Sequence, residues 1–310
     1  AGYFEVADEK NQKFYTEKYG VTHPTKPGLK IPQMFDAAIK KELKGVWIIG
    51  EDIVQTDPNS AHVVEAMNSL ELLVVQEIFM SETAKLATVV LPGTTFLEKD
   101  GTFTNTERRI QRVNRAVEPL PGTKPDGVIV TDMMQKLGFD QPTYDADQML
   151  AEIADIVPFF KGVTRERLGK LGLQWPVKED GTDTQILHTE TFKLGKGRLK
   201  NFDWKESTEI ETNRKEYPLI LTTSRVLQHY NAATMTRRTK NINIVDEDVL
   251  LIHPKDAAHR DINTGDIGRL YSGRGEVALK VEVTDKVKEG IVFTTFHFPE
   301  HMVNMVTGHG

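Results

Sequence analysis

Cysteine is absent from all 310 residues. That absence excludes disulfides, thiolate-bound zinc and any iron–sulfur cluster ligated by this chain, because each needs cysteine sulfur. Long apolar runs are missing too. Nothing approaches the roughly 18 consecutive apolar residues of a membrane helix, and the opening AGYFEVADEK lacks a basic-then-apolar signal region. No membrane insertion and a cytoplasmic location are therefore expected. Charge of one sign is scarce: Lys and Arg total 39 against 45 Asp and Glu, a net charge of -6. Bulk electrostatics thus offers no case for nucleic acid as a partner. Glycine-rich phosphate loops, Ser/His/Asp constellations and H-x-x-x-H pairs are also lacking, and the 9 histidines are scattered. Neither a metal ligand nor a catalytic residue is assigned.

What is present, 27% charged and 39% hydrophobic residues, reads as a globular chain of about two domains. The first part alternates apolar strands with amphipathic helices, which predicts a parallel sheet covered by helices. The expected elements are a helix over 34–43 and strands over 45–49, 70–75 and 87–91. Polar residues follow each strand: Gly50, Glu51, Asp52 and Thr56 after the first, Gln76 and Glu77 after the second, and an arginine-rich run after the third. Ligands of open α/β sheets settle beyond the carboxyl ends of strands, so a polar ligand is expected at one edge.

Further along, a helix over 126–137 is predicted with Asp126 as amino cap and Gly138 as carboxy-terminal cap, then a second helix over 147–157. Residues 139–215 read as a connecting excursion with little chemistry. From 217 the pattern turns to strands, PLILTTS, VLLIHP, IGRLYS, EVALKVEV and GIVFTTF, which predict a compact β-barrel. The expected division is an α/β domain over 1–140, the excursion over 141–215 and the barrel over 216–310.

Each polar cluster has a plain structural reading beside a functional one. An acidic turn can accept from the N–H and O–H groups of a polar ligand, yet it also serves as a solvated strand exit. Arg108, Arg109, Arg112 and Arg115 suit a pyrophosphate, or a salt-bridged face. His297, between Phe296 and Phe298, reads as readily as a packed barrel residue as a ligand contact.

The run LEKDGTFTNTERRIQRVNR, 97–115, tips the balance. It resembles the E-K-D/E-G-T-F-T-N-x-E-R-R-x-Q-R segment of the catalytic subunit of molybdenum- or tungsten-dependent formate dehydrogenases, in the molybdopterin-dinucleotide oxidoreductase (DMSO reductase) family. The run TTSRVLQHYN followed by MTRR, 222–231 and 235–238, resembles that family's T-x-R-x-x-x-H-Y-x-x-x-x-M-T segment. FHF at 296–298 with NMVT at 304–307 resembles its last cofactor segment.

The resemblance implies a partial dinucleotide-binding α/β domain followed by a double-psi β-barrel. It implies formate oxidation to carbon dioxide, or the reverse, at a molybdenum or tungsten bis(molybdopterin guanine dinucleotide). Gly50, Glu51, Asp52, Thr56, Gln76, Glu77 and Asp126 would line one dinucleotide; Arg225, His229 and Asn231 would line the other, and Asn304 would face pterin or guanine. The metal ligand and a 4Fe-4S cluster would lie in the remainder of the catalytic subunit, with iron–sulfur or flavin electron-transfer subunits as partners. Two alternatives stay open: another family member, such as a nitrate reductase or a respiratory complex large subunit, and a cofactor-free scaffold of the same fold.

Overall fold

A computed structural model describes residues 4–192 and 194–308. In chain order it contains α1 (Glu9–Tyr19), α2 (Ile31–Ile39), β1 (Gly45–Ile49), α3 (Ile53–Thr56), α4 (Ser60–Ser69), β2 (Leu72–Glu77), α5 (Glu82–Lys85) and β3 (Val89–Pro92). The strands β4 (Gly101–Thr104) and β5 (Arg109–Val113), the helices α6 (Asp126–Lys136) and α7 (Ala146–Ile156), and β6 (Leu173–Gln174) follow. Last come β7 (Ile220–Thr223), β8 (Val249–Ile252), β9 (Ile267–Tyr271), β10 (Glu276–Val283) and β11 (Ile291–Thr294). The chain forms two compact units, one of Ala1–Lys30 with Leu91–Lys200, the other of Ile31–Val90 with Asn201–Gly310. No described helix is long and apolar enough to cross a membrane.

The second unit contains the expected parallel sheet. β1 pairs with β2 from Gly45 opposite Leu72 to Ile49 opposite Gln76, and the strand order is β1-β2-β3. Apolar residues at helical spacing, Phe35 and Ala38 on α2 and Val63, Ala66 and Met67 on α4, pack on Ile48, Leu73 and Val75. β2 starts two residues later than expected. Leu70 ends α4, donating to the Met67 carbonyl at 3.3 Å, and the N–H groups of Glu71 and Leu72 turn back onto Lys44 O at 2.8 and 3.1 Å. Pairing therefore begins at Leu72, and Gln76 and Glu77 become the end of the strand rather than its exit.

The same unit holds the expected barrel strands. They form a mixed sheet in the order β7-β11-β8-β10-β9, curled into a half-barrel. Neighbours β7 and β11 run parallel, as do β8 and β10, while β8–β11 and β9–β10 are antiparallel. EVALKVEV alternates as a half-buried strand must: Val277, Leu279 and Val281 enter the core, while Glu276, Ala278 and Lys280 face outward.

In the first unit the run at 97–115 becomes a β-hairpin, with β4 antiparallel to β5 and β5 antiparallel to β6. Arg108 turns the hairpin at φ 69°. Its guanidinium donates to the carbonyls of Trp175, Thr184 and Gln185 and lies over the Trp175 ring. Arg109 pairs with Glu107 at 2.8 Å, Arg115 with Glu118 at 3.2 Å, and Arg112 donates to Asn114. The four arginines thus have separate partners. The excursion contributes α7, β6 and the Trp175 side of this hairpin, and Ile110 packs with Leu150, Val163, Leu168 and Val177.

Asp126 is the first residue of α6 rather than its amino cap, which is Pro125. The helix closes as expected near Gly138 (φ 90°), whose N–H reaches Gln135 O while that of Phe139 reaches Met134 O.

Leu279 is fully buried in the half-barrel core. Leu279→Ala is expected to cost about 2–5 kcal/mol, against about 0.5 kcal/mol or less for the exposed neighbour Lys280→Ala. Urea denaturation of the two variants checks this, and equal losses would contradict the inward register of β10.

Candidate functional site

The carboxyl ends of β1 and β2 are tied by one hydrogen bond, from Gly50 N–H to Gln76 O at 2.9 Å. Gly50 has φ 64°, a left-handed conformation that glycine adopts without strain. Glu51 is exposed. Asp52, only 4% exposed, accepts the Thr83 N–H at 2.9 Å, the Thr83 hydroxyl at 2.7 Å and the Glu82 N–H at 3.3 Å. Its carboxylate thereby holds the first turn of α5, and the Thr83 oxygen in turn accepts the Val54 N–H. Gln76 is buried. Glu77 is half-buried, and burial raises its carboxyl above the usual range despite the Ile78 N–H on Oε1 and the charge of Arg238.

After β7, residues 224–239 form a loop that carries most of the other expected residues. The exposed Arg225 guanidinium stands over the Phe296 ring and donates to Asn231 Oδ1 at 3.2 Å. Asn231 and Ala233 have φ of 52° and 59°. His229 is buried with both ring nitrogens engaged: Nδ1 lies 3.0 Å from Thr236 Oγ1 and Nε2 lies 2.8 Å from Val245 O. A carbonyl only accepts, so Nε2 carries the hydrogen and Nδ1 accepts from the hydroxyl. Asn304 donates to the carbonyls of Gln55 and Thr56 at 2.8 and 3.2 Å, and its Oδ1 accepts from the Thr307 hydroxyl.

Sequence reasoning missed the residue that joins these pieces. Gln55, 4% exposed, shares its Nε2 among the carbonyls of Ala232, Phe296 and His297 at 3.0 to 3.2 Å, and its Oε1 accepts from Arg237. It lies on the four-residue α3, too short to show a helical period. Burial, with the charge of Arg238 beside it, lowers the proton affinity of the Arg237 guanidinium. Arg238 itself sits over the Phe79 ring at 4.2 Å.

Ten of the eleven expected site residues thus belong to the second unit; Asp126 belongs to the first. There Asp126 pairs with Lys99, another residue not anticipated, at 2.5 Å. Both line a pocket of about 220 Å³ together with Phe103, Tyr144, Met149 and Ile153. Burial, followed by the charge of Asp126, raises the Tyr144 phenol. Its ring occupies the space beside Gly127, where a Cβ would stand 2.1 Å from Tyr144 Cε2.

Among the described residues no group of three or more His, Asp or Glu side chains could hold a metal ion. The donor set suits binding instead. Carboxylates at strand ends match base N–H groups, and the Arg225 guanidinium matches phosphate oxygens. These are the partners that a guanine dinucleotide presents.

Comparison with known proteins identifies two families along the chain: Molybdopterin oxidoreductase over residues 9–136 and Molydopterin dinucleotide binding domain over residues 219–310. The F420-dependent formate dehydrogenase subunit alpha of Methanocaldococcus jannaschii is 40% identical over 310 residues, 99% of this chain and 46% of that protein. The F420-dependent formate dehydrogenase 1 subunit alpha of Methanococcus maripaludis is 39% identical over 96% of this chain and 44% of that protein. Among solved structures, acetylene hydratase from Pelobacter acetylenicus superposes with a TM-score of 0.68 at 20% identity, covering 96% of this chain and 45% of its own, a likeness of fold. The chain spans less than half the length of these relatives.

Two outcomes follow from the geometry. Asp52→Ala leaves the N–H groups of Glu82 and Thr83 without their carboxylate, and a loss of about 1–3 kcal/mol is expected. Thermal unfolding against the exposed control Glu51→Ala reads it, and equal stability of the two variants would remove Asp52 from this role. The second concerns His297, whose imidazole burial holds below its usual value of 6.5. The folded state then binds fewer protons than the unfolded one, so this contribution is complete above 6.5 and is lost as pH falls through the lowered pKa. Urea titrations at neutral and acid pH should show a flatter pH dependence for His297→Gln than for the wild type; identical slopes would refute the lowered pKa.

Proposed function

We propose that this chain, which belongs to the molybdopterin oxidoreductase family, is part of a formate dehydrogenase catalytic subunit and holds the dinucleotide ends of its cofactor. The observation that carries this reading is the 40% identity to a formate dehydrogenase subunit alpha, maintained over 99% of the chain. When bound, a molybdenum or tungsten bis(molybdopterin guanine dinucleotide) supplies the two-electron redox change that interconverts formate and carbon dioxide.

This chain's own groups bind and orient. Glu51 and Glu77, at the carboxyl ends of β1 and β2, accept from guanine N–H groups, next to the backbone of Gly50 and Thr56. Arg225 donates to phosphate oxygens, with Asn231 fixing its guanidinium. Asp126, steadied by Lys99, takes the base end of a dinucleotide. Asp52, His229 and Asn304 are buried and act mainly through the backbone that they hold, and Gln76 lies buried at the end of β2. The metal ligand, the catalytic groups and the 4Fe-4S cluster are assigned to the remainder of the subunit. Iron–sulfur or flavin subunits would be the electron-transfer partners of that remainder, in a cytoplasmic enzyme. The division into 1–140, 141–215 and 216–310 is supported by the family matches, which end at 136 and resume at 219.

The full-length polypeptide carrying this chain is expected to contain molybdenum or tungsten with about two guanine dinucleotides, and to reduce a dye with formate. Arg225→Ala should lower both the retained dinucleotide and formate turnover by roughly tenfold, the loss of one charged hydrogen bond. A metal-loaded protein that reduces nitrate and ignores formate would point to another member of the family. A full-length protein without metal or dinucleotide would sink the reading.

A further inference from the structure

We propose that His297 is a positioning residue whose neutral imidazole, held as the Nδ1–H tautomer, sets the backbone of the loop carrying Arg225 and Asn231. Its importance to ligand binding rests on the reading above; its hold on the loop does not. The ring is fully buried and spans the loop. Nδ1 lies 2.8 Å from Asn231 O, and Nε2 lies 3.1 Å from Val226 N. The Asn231 carbonyl only accepts, and the Val226 amide only donates. The hydrogen must therefore sit on Nδ1, leaving Nε2 as the acceptor.

The ring has no freedom to turn away. The backbone N–H of His297 is held by Asp248 Oδ1 at 3.0 Å, and its backbone carbonyl receives Gln55 Nε2 and an Arg237 N–H at 3.1 and 3.2 Å. Asp248, itself fully buried, also accepts from the Thr295 hydroxyl and the Phe298 N–H. The Phe296 ring stacks beside His297 and carries the Arg225 guanidinium. Asn231 and Ala233 adopt positive φ, a conformation that persists only where the surroundings enforce it. His297 at Asn231 O and Gln55 at Ala232 O supply that enforcement.

A proton on Nε2 would place a second donor against the Val226 N–H and break the clamp. Burial opposes that proton, with the charge of Arg225, while the Asn231 carbonyl and Asp248 favour it; Arg237 adds a further positive group at the carbonyl. His229, 5.4 Å away between ring centres, carries its hydrogen on the other nitrogen, Nε2. The two neighbouring histidines are therefore locked in opposite tautomers.

The test uses the full-length polypeptide in three forms: wild type, His297→Gln and His297→Phe. Glutamine offers one donor and one acceptor, as the neutral imidazole does; phenylalanine fills space only. Hydrogen exchange over 225–231 should be roughly tenfold faster or more in His297→Phe and intermediate in His297→Gln, with β8 and β10 unchanged. Retained dinucleotide should fall in the same order. Unchanged loop exchange in His297→Phe overturns the proposal, and so does equal loosening of loop, β8 and β10 in both variants, which would make His297 a packing residue. The wild type alone supplies a second readout through ring nitrogen-15 spectra, with Nδ1–H expected for His297 and Nε2–H for His229. An Nε2–H tautomer at His297 overturns the proposal whatever the variants do. A wild type that holds no dinucleotide would instead defeat the formate dehydrogenase reading, and exchange would still decide the role of His297.

Discussion

The buried carboxamide of Gln55 is the centre of the joint between the parallel sheet and the half-barrel within one compact unit. Gln55 follows β1 directly, and its side chain meets three carbonyls and a guanidinium that arrive after β7 and β11. The contacts to the Ala232 and His297 carbonyls are buried, and an unmade bond there costs about 1–3 kcal/mol. The backbone carbonyl of the same residue receives Asn304. Displacing Gln55 would therefore disturb the β1 exit, the Arg225 loop and the Asn304 turn together.

Around that joint the polar residues divide by exposure. Asp52, His229, His297 and Asn304 spend their hydrogen-bonding capacity inside the protein. Glu51, Arg225 and Asn231 remain exposed. The buried group makes rigid the backbone from which the exposed group projects. This is the arrangement expected of a scaffold that recognises a large ligand by shape and leaves the electron chemistry to that ligand.

Much of this was legible in the sequence, and the failures have physical causes. β1 was read correctly because an apolar run ended at a glycine, and β10 because its alternation is unbroken. The start of β2 was misplaced because an apolar Leu70 serves a helix end as readily as a strand. Asp126 looked like a cap because aspartate caps well, yet its carboxylate turns to Lys99. The arginine run left a pyrophosphate site and a salt-bridged face open; the hairpin pairs Arg109 and Arg115 with nearby glutamates and Arg112 with Asn114, while Arg108 turns to carbonyls distant in sequence. Gln55 and Lys99 were invisible for a different reason. Their partners are carbonyls and carboxylates distant in sequence, and no periodicity reports such contacts.

The packing of Tyr144 over Gly127 binds the fates of two positions. A residue with any side chain at 127 collides with the ring, and a small residue at 144 leaves a void above the start of α6. Neither site can drift alone without passing through a poorly packed intermediate. Any residue larger than glycine at 127 therefore requires the Tyr144 ring to move aside, so the excursion that supplies the tyrosine constrains the first turn of the helix that supplies the glycine.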